Sequence, residues 1–347
     1  MAKKKKGSRL VVFLVLCAIV AGAFYLYRKF FIPVKLKDKK YVYVFVKTNS
    51  SFDDVIGDFT ELGIIEDEDN FRWLAGRMDL EENIHPGKYR IINGMNARQV
   101  INLLKYNKQE KVKLTYNSQI HDLEEFVEYT GEKLELEEED LEDFLSDEKK
   151  LSANFGLDPY NCFALVVPGI YETGWSISAA DLFDTLKKRY TSIWNSARQE
   201  KARRAGLTIP EVITLASIVQ SETSIRSEQQ KIAGVYLNRL KQNMPLQADP
   251  TLKFANKSYE LQRVLDIDKE INSPYNTYRY KGLPPGPICL VGLQAIDATL
   301  DYEKHNYLYF CARPALNGYS DFSVTYSQHQ RYAAAYRKAL DKMGIIR

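Results

Sequence analysis

A carboxyl group that is to hand over a proton near neutral pH has to sit where water is scarce, and Glu222 stands at such a place in the chain. Thr208, Pro210 and Glu211 form a helix start: Thr208 can cap, Pro210 suits the first turn, and Glu211 follows Thr208 in capping-box spacing. In the run VITLASIVQSET that follows, Val212, Leu215, Ala216, Ile218 and Val219 define an apolar face. That face continues to Glu222, seven residues after Leu215 and three after Val219. A carboxyl on a buried helix face is partly desolvated, which raises its pKa toward neutrality and suits it to general acid work. The competing reading is a frayed helix end with Glu222 in solvent, and periodicity does not separate the two.

Downstream, polar and turn residues are dense. MPLQADPT (244–251) sets Gln247 and Asp249 beside two prolines, and INSPYNTYRYKGLPPGPI (271–288) combines Asn272, Ser273, Tyr275, Asn276 and Thr277 with the stiff turn Pro284-Pro285-Gly286. This is poor core sequence. Its hydroxyl and amide groups match sugar hydroxyls, and tyrosine faces match the apolar faces of pyranose rings. The plainer alternative is a surface loop stiffened by prolines. His329 stands alone near the start of a terminal helix over 327–340, where a cap or surface contact is the commoner role. The four histidines, at 85, 121, 305 and 329, have no ligand spacing, so no metal is expected, and no motif calls for a cofactor.

The elements that must position these groups follow from composition and pattern. Hydrophobic residues make up 45% and charged residues 27%, which excludes a largely disordered chain. Residues 1–40 hold eleven Lys/Arg against Asp38 alone, a net +10, so the total of +3 leaves the rest at −7. An acidic body gives no electrostatic reason to expect nucleic-acid binding. Leu10 to Tyr27 is a run of eighteen uncharged, mostly apolar residues, roughly 27 Å of helix. A cleaved signal peptide starts similarly, but the run is longer than a usual signal core and no small-x-small site closes it before Arg28. An uncleaved anchor is therefore expected, with residues 1–9 in the cytoplasm because Lys3–Lys6 and Arg9 make the tighter basic cluster.

Beyond a charged stem (28–40), YVYVFV (41–46) reads as a strand, FDDVIGDFTEL (52–62) and NFRWLAGRM (70–78) as helices, HPGKYRII (85–92) as a turn into a strand, and NARQVINLLKYN (96–107) as an Asn-capped helix. This β-α-α-β-α order makes a small α+β module over 41–108. ELEEEDLEDFLSDEKK, within a connecting part at 109–205, reads as one acidic amphipathic helix with Leu141 and Phe144 inward. YLYFCARP (307–314) reads as a strand within a core at 206–347. The expected fold class is thus α+β: one transmembrane helix, a small subdomain and a larger mixed α/β domain. Cys162, Cys289 and Cys311 lie in the part expected outside the membrane, where one pair could bridge.

Several ordered motifs then carry a resemblance. ASIVQSE (216–222), SEQQKIAGVYLNRL (227–240), MPLQADPT (244–251), SPYNTY (273–278) and GLPPGPI (282–288), behind an N-terminal anchor, resemble the endolytic murein transglycosylases of the MltG/YceG type. HPGKYRI resembles a strand of that family's LysM-like subdomain, and VPGIYETGW (167–175) resembles its PxTY segment, from which Gly169-Ile170 depart. The resemblance implies Glu222 as the catalytic acid. It implies Gln247, Asp249, Ser273, Tyr275, Asn276, Thr277, Pro284, Pro285 and Gly286 as substrate-binding residues, with Glu228 and His329 in support. Gln220 stands where relatives often carry a second glutamate, so the chemistry does not depend on a carboxylate there. The implied reaction cuts the bond between N-acetylmuramic acid and N-acetylglucosamine in nascent glycan strands, leaving 1,6-anhydro ends. The implied setting is the cytoplasmic (inner) membrane, with the catalytic domain on its outer, periplasmic side. Implied partners are peptidoglycan strands and peptidoglycan synthases such as penicillin-binding proteins. Two alternatives stay open: a hydrolytic muramidase using Glu222 with Asp249, and a non-enzymatic anchored glycan-binding protein.

Overall fold

The apolar N-terminal run folds into one long helix, α1 (Lys3–Phe31), whose segment Val11–Phe31 is long and apolar enough to cross a membrane. The structure, a computed structural model, describes residues 3–31, 33–36, 39–261 and 264–343. The chain divides into two compact units. One comprises residues 1–112, 133–135 and 172–177; the other comprises 113–132, 136–171 and 178–347.

In the first unit, β1 (Tyr41–Val46) pairs antiparallel with β2 (Gly87–Ile92), Val44 opposite Tyr89 and Tyr43 opposite Arg90. Alternation sends Val44, Val46, Tyr89 and Ile91 into the core, where α2 (Phe52–Glu61), α3 (Glu68–Arg77) and α4 (Ala97–Lys105) supply Phe59, Leu74, Ile101 and Leu104. Each helix begins at a polar cap: Ser51 and Asn96 each form a capping box, and Asp67 accepts the Asn70 N–H. The β-α-α-β-α order is the expected one, with α3 starting two residues earlier than its apolar spacing alone suggests because Asp67 caps it.

Next along the chain come β3 (Val112–Tyr116), which pairs with β4 (Gly169–Thr173), and α5 (Leu123–Lys133), between them in sequence. The acidic stretch expected as one helix is two, α6 (Glu138–Ser146) and α7 (Glu148–Phe155). Asp147 leaves helical geometry and turns its side chain to accept the Lys150 N–H, so the carboxylate caps a new helix instead of continuing the old one. Leu141 and Leu145 of α6 and Leu151 of α7 are buried, while the half-buried Phe144 ring stacks on Phe183 at 4.1 Å.

After α8 (Ala179–Ile193) and α9 (Ser196–Ala205), the central helix α10 (Ile209–Glu222) starts with the expected Thr208–Glu211 capping box. Every residue from Val212 to Val219 is buried, so α10 is enclosed all round and lies inside the fold instead of resting one face on it. Val212, Ile213 and Ala216 pack with Ala164, Trp194, Ala295 and Ile296; Leu215, Ile218 and Val219 pack with Ile232, Tyr236, Leu246 and Ile288. Two polar side chains of α10, Ser217 and Gln220, are tied to the 288–292 segment. The Ser217 hydroxyl donates to the Thr214 carbonyl and accepts the Ile288 N–H, at 2.7 and 3.0 Å. Gln220 donates to the Leu290 carbonyl at 2.9 Å and accepts the Gly292 N–H at 2.8 Å. An amide can do both where a carboxylate cannot donate, a physical reason for glutamine at this position.

The remaining elements are α11 (Arg226–Lys241), α12 (Asp249–Ala255), α13 (Leu293–Leu300), β5 (Tyr309–Ala312), β6 (Ser320–Ser323) and α14 (Tyr326–Lys342). The strand expected over 307–314 shortens to β5, which pairs with β6. Of the cysteines that the sequence left open to bridging, Cys162, Cys289 and Cys311 are free thiols, as is Cys17 in α1. The Cys162 and Cys289 thiols are spent on the carbonyls of Pro159 and Ser217.

Candidate active site

Glu222 is the last residue of α10, where the chain turns into extended backbone at Thr223. It is half-buried, and its Oε1 accepts the Tyr236 hydroxyl at 2.6 Å. Tyr236, 1% exposed, comes from α11. Burial pushes the Glu222 carboxyl up to about 7; the Tyr236 hydrogen bond opposes the rise, the charge of Asp249 adds to it, and Lys253 and Arg239 oppose it. Of the two readings of this position, the desolvated carboxyl matches the geometry and the frayed end does not.

Arg239, one turn beyond Tyr236 on α11, is 6% exposed. Its Nε donates to the Leu308 carbonyl at 2.6 Å and its Nη1 to the Leu246 carbonyl at 2.7 Å, so one side chain holds both the 245–247 loop and the entry to β5. Burial lowers its pKa, and the guanidinium lies over the Tyr309 ring at 5.1 Å. Next to it, Gln247 and Asp249 are exposed and alternate with buried Leu246, Ala248 and Pro250. Gln247 adopts left-handed backbone (φ 50°), and its N–H bonds the Thr277 carbonyl at 3.0 Å. Asp249 opens α12, where a helix N-terminus favours its charge, and it accepts the Tyr278 hydroxyl at 2.5 Å. Burial first, then the Asp249 charge, raises the Tyr278 hydroxyl well above its ordinary range, so it stays a donor.

Of the other residues named from the sequence, Asn276, Thr277, Pro284, Gly286 and Glu228 are buried, while Ser273, Tyr275 and Pro285 are half-buried like Glu222 itself. Asn276 is fully buried; its amide bonds the carbonyls of Lys269 and Ile271, both at 2.9 Å, and its oxygen accepts the Tyr278 N–H. Thr277 accepts the Ala248 N–H at 3.0 Å and shares a hydrogen bond with Thr251 at 2.9 Å. Both residues shape the 247–249 loop and aim Tyr278, with their polar groups used up inside the fold. Ser273 accepts the Tyr275 N–H, and Tyr275 packs on Phe254 at 4.6 Å, half-buried. Pro284 and Gly286 are buried and Pro285 half-buried; a side chain on Gly286 would begin 2.1 Å from the Tyr160 carbonyl. Glu228 is 2% exposed and accepts the Ser320 N–H at 2.7 Å, which fastens the start of α11 to β6. His329 stacks on Tyr309 at 5.4 Å, and burial together with Arg239 and Arg337 lowers its pKa, leaving the ring neutral at pH 7.

The groups around the Glu222 carboxyl are therefore Tyr236, Asp249, Lys253, Arg239 and Tyr278. Tyr236, Arg239, Lys253 and Tyr278 were not singled out from the sequence. A signal for two of them exists: Ile232, Tyr236 and Arg239 share one stripe of α11, and a charge on an apolar stripe is the pattern that drew attention to Glu222. Tyr278 and Lys253 carry no comparable mark, because only the folded loop brings them in. The arrangement supplies a carboxyl that is protonated for much of the time at pH 7, a buried phenol on it, and a second, solvated carboxylate nearby.

An endolytic murein transglycosylase of Bacillus subtilis is 36% identical over 159 residues, 46% of this chain and 43% of that protein. One of Streptococcus pneumoniae is 32% identical over 171 residues, 47% of this chain and 29% of the relative. The chain thus spans less than half the length of the curated relatives it matches. Among solved structures, a yceG-like protein from Listeria monocytogenes superposes with a TM-score of 0.54 at 24% identity, covering 85% of this chain and 99% of that one, and shares its fold. The model of the YceG-like family matches residues 44–335, a stretch that runs from within β1 into α14 and contains every site residue above, and the chain belongs to that family.

Proposed function

We propose that this chain is an endolytic lytic transglycosylase of peptidoglycan, with Glu222 as its single acid and base. The observation that carries the reading is the Glu222 carboxyl held near 7 by burial, with Tyr236 on one oxygen. The relatives named above are called endolytic murein transglycosylases, which fits.

In this reading protonated Glu222 gives its hydrogen to the oxygen linking N-acetylmuramic acid to N-acetylglucosamine. The bond from muramyl C1 to that oxygen breaks, and the N-acetylglucosamine side leaves with a free hydroxyl. The ionised carboxylate then takes the proton from the muramyl C6 hydroxyl as O6 closes on C1, giving the 1,6-anhydro ring and restoring the acid. Water is not consumed, so no second carboxylate has to activate it, unlike the usual pair of a hydrolase. Tyr236 steadies the carboxylate between the two steps. Gln247 and Asp249, the exposed members of their loop, and Tyr278 are the groups we assign to the sugar, with Asn276 and Thr277 positioning them.

Asp249 favours one second reading, hydrolysis with Asp249 as base, because its charge already acts on Glu222. Its commitment to Tyr278 and to the start of α12 counts against that role. Digestion of uncrosslinked glycan strands by the full chain in detergent, read by mass spectrometry, decides: anhydromuramyl ends support the transglycosylase, and reducing ends support the muramidase. Strands left uncut by the parent chain would leave a binding protein.

The finer setting belongs to the same proposal. Val11–Phe31 of α1 anchors the chain in the cytoplasmic membrane with residues 1–9 inside, residues 41–108 form a LysM-like subdomain, and 206–347 is the catalytic core outside. A tethered enzyme reaches only strands close to the bilayer, which points to newly made glycan and to peptidoglycan synthases as neighbours.

A further inference from the structure

A cavity opens within the first unit where α1 meets the residues that follow it. Phe24, Tyr27 and Phe31, spaced to share one face of α1, line it from the helix, and the buried Ile64, Ile65 and Phe71 line it from the folded part of the unit. Its volume of about 620 Å³ lies within the range of small-molecule sites, about 300–1,000 Å³. The end of α1 is fastened on the spot. The Asn70 amide donates to the Lys29 carbonyl at 3.0 Å, Phe30 packs on Trp73 at 5.7 Å, and the Val34 N–H bonds the Met95 carbonyl at 2.6 Å.

Two features say what fills the cavity. First, the helical wall belongs to Val11–Phe31, the segment long and apolar enough to cross a membrane. Tyr25 and Tyr27 stand in its last two turns, where aromatic residues mark the boundary between lipid and water. A hollow walled by a membrane span at that depth opens onto lipid. From Phe24 to Phe31 the wall runs roughly 10 Å along the helix, at 1.5 Å per residue, with the shallow end toward the stem. Second, the charged residues of the lining carry both signs. Lys35 in the stem and Glu66 and Asp67 before α3 are all exposed. Asp67 is committed to the α3 cap, which leaves Glu66 as the acid and Lys35 as the cation for a ligand. Apolar walls ending in one cation and one acid complement a lipid whose headgroup holds a phosphate and a primary ammonium.

We propose that this cavity is a lipid site, in which one acyl chain lies along Phe24, Tyr27 and Phe31 and an ethanolamine phospholipid headgroup meets Lys35 through its phosphate and Glu66 through its ammonium. The inference rests on the membrane anchor of the reading above, and the test keeps their failures apart. Full chain is reconstituted into choline-phospholipid vesicles doped with a tracer lipid that carries a photoreactive diazirine on its acyl chain. The tracer headgroup is ethanolamine, choline or glycerol in parallel runs, and mass spectrometry maps the labelled peptides after illumination. The expected result is labelling of residues 64–71 as well as α1, stronger by about 3-fold or more from the ethanolamine tracer, whose N–H groups can bond a carboxylate. Glu66→Lys should abolish that preference. Ala97→Phe, which fills the cavity from a half-buried lining position, should remove the labelling at 64–71 and leave that of α1. Melting temperatures near the parent's show that the variants fold, and Glu66→Lys, at an exposed position, decides alone should Ala97→Phe not fold. Labelling of neither segment overturns the anchor and this site with it. Labelling of α1 alone, equal labelling from all three headgroups, or a preference unchanged in Glu66→Lys overturns the lipid site and leaves the anchor standing.

Discussion

At Glu222 opposing influences meet, and burial prevails. Burial and Asp249 favour the protonated form; Tyr236, Lys253 and Arg239 favour the charged one. Replacement by glutamine removes the transferable proton while keeping the shape and an acceptor for Tyr236, so glycan release should drop by at least ~10²-fold. Release at the parent rate would remove Glu222 from the mechanism. Because the acid has to be protonated to begin, kcat/KM should decline as pH passes about 7. Tyr236→Phe deletes the bond that steadies the carboxylate, so the same decline should move to higher pH, a direction that a pH profile of strand cleavage reads directly. A downward displacement would mean that Tyr236 acts in some other way.

Among the elements, α10 governs where that carboxyl sits. Its start was legible in Thr208, Pro210 and Glu211, because a cap is a local pattern of residue types. Its surroundings were not. An apolar face was expected, and burial all round was found, because the second face is covered by residues from 164–167 and 291–300 that no local window contains. The same limit hid the break at Asp147, where one carboxylate chose capping over helix continuation, and the inward turn of Asn276 and Thr277, whose types are those of surface loops. The loop 282–288 is held by close approach as well as by its prolines. Gly286→Ala would drive a methyl into the Tyr160 carbonyl, so at least one backbone has to move. We expect a loss of about 1–3 kcal/mol in denaturant unfolding, comparable with other overpacked sites. An unchanged midpoint would show the loop to be softer than its packing implies.

For the molecule as a whole, the acid at 222 costs stability. Its carboxyl ionises near 4.5 when unfolded and near 7 when folded, so between these values the native state binds more protons. Stability should therefore fall as pH rises through that window and stay reduced above it. Glu222→Gln escapes the penalty: its melting temperature should exceed the parent's at pH 8, and the two should converge below pH 4.5. A gap of the same size at both ends would assign it to packing. The proposed anchor makes a separate prediction. Phe30 packs edge-on against Trp73 at 5.7 Å, so shortening that stops before it preserves this contact. A chain beginning at Arg28 should leave the membrane fraction yet melt like the parent, and continued membrane association would locate the attachment elsewhere.

Cys162 and Cys289 are unbridged, interior, and driven by burial to about 12 and 11. Neither sulfur can react until the structure around it opens, so alkylating reagents become a clock for that opening. Phe163, the neighbour of Cys162, lines the same small cavity as Cys289, so the two thiols should be modified together when that region lets go. Reducing agents, having no bond to break, should leave the clock running at the same speed.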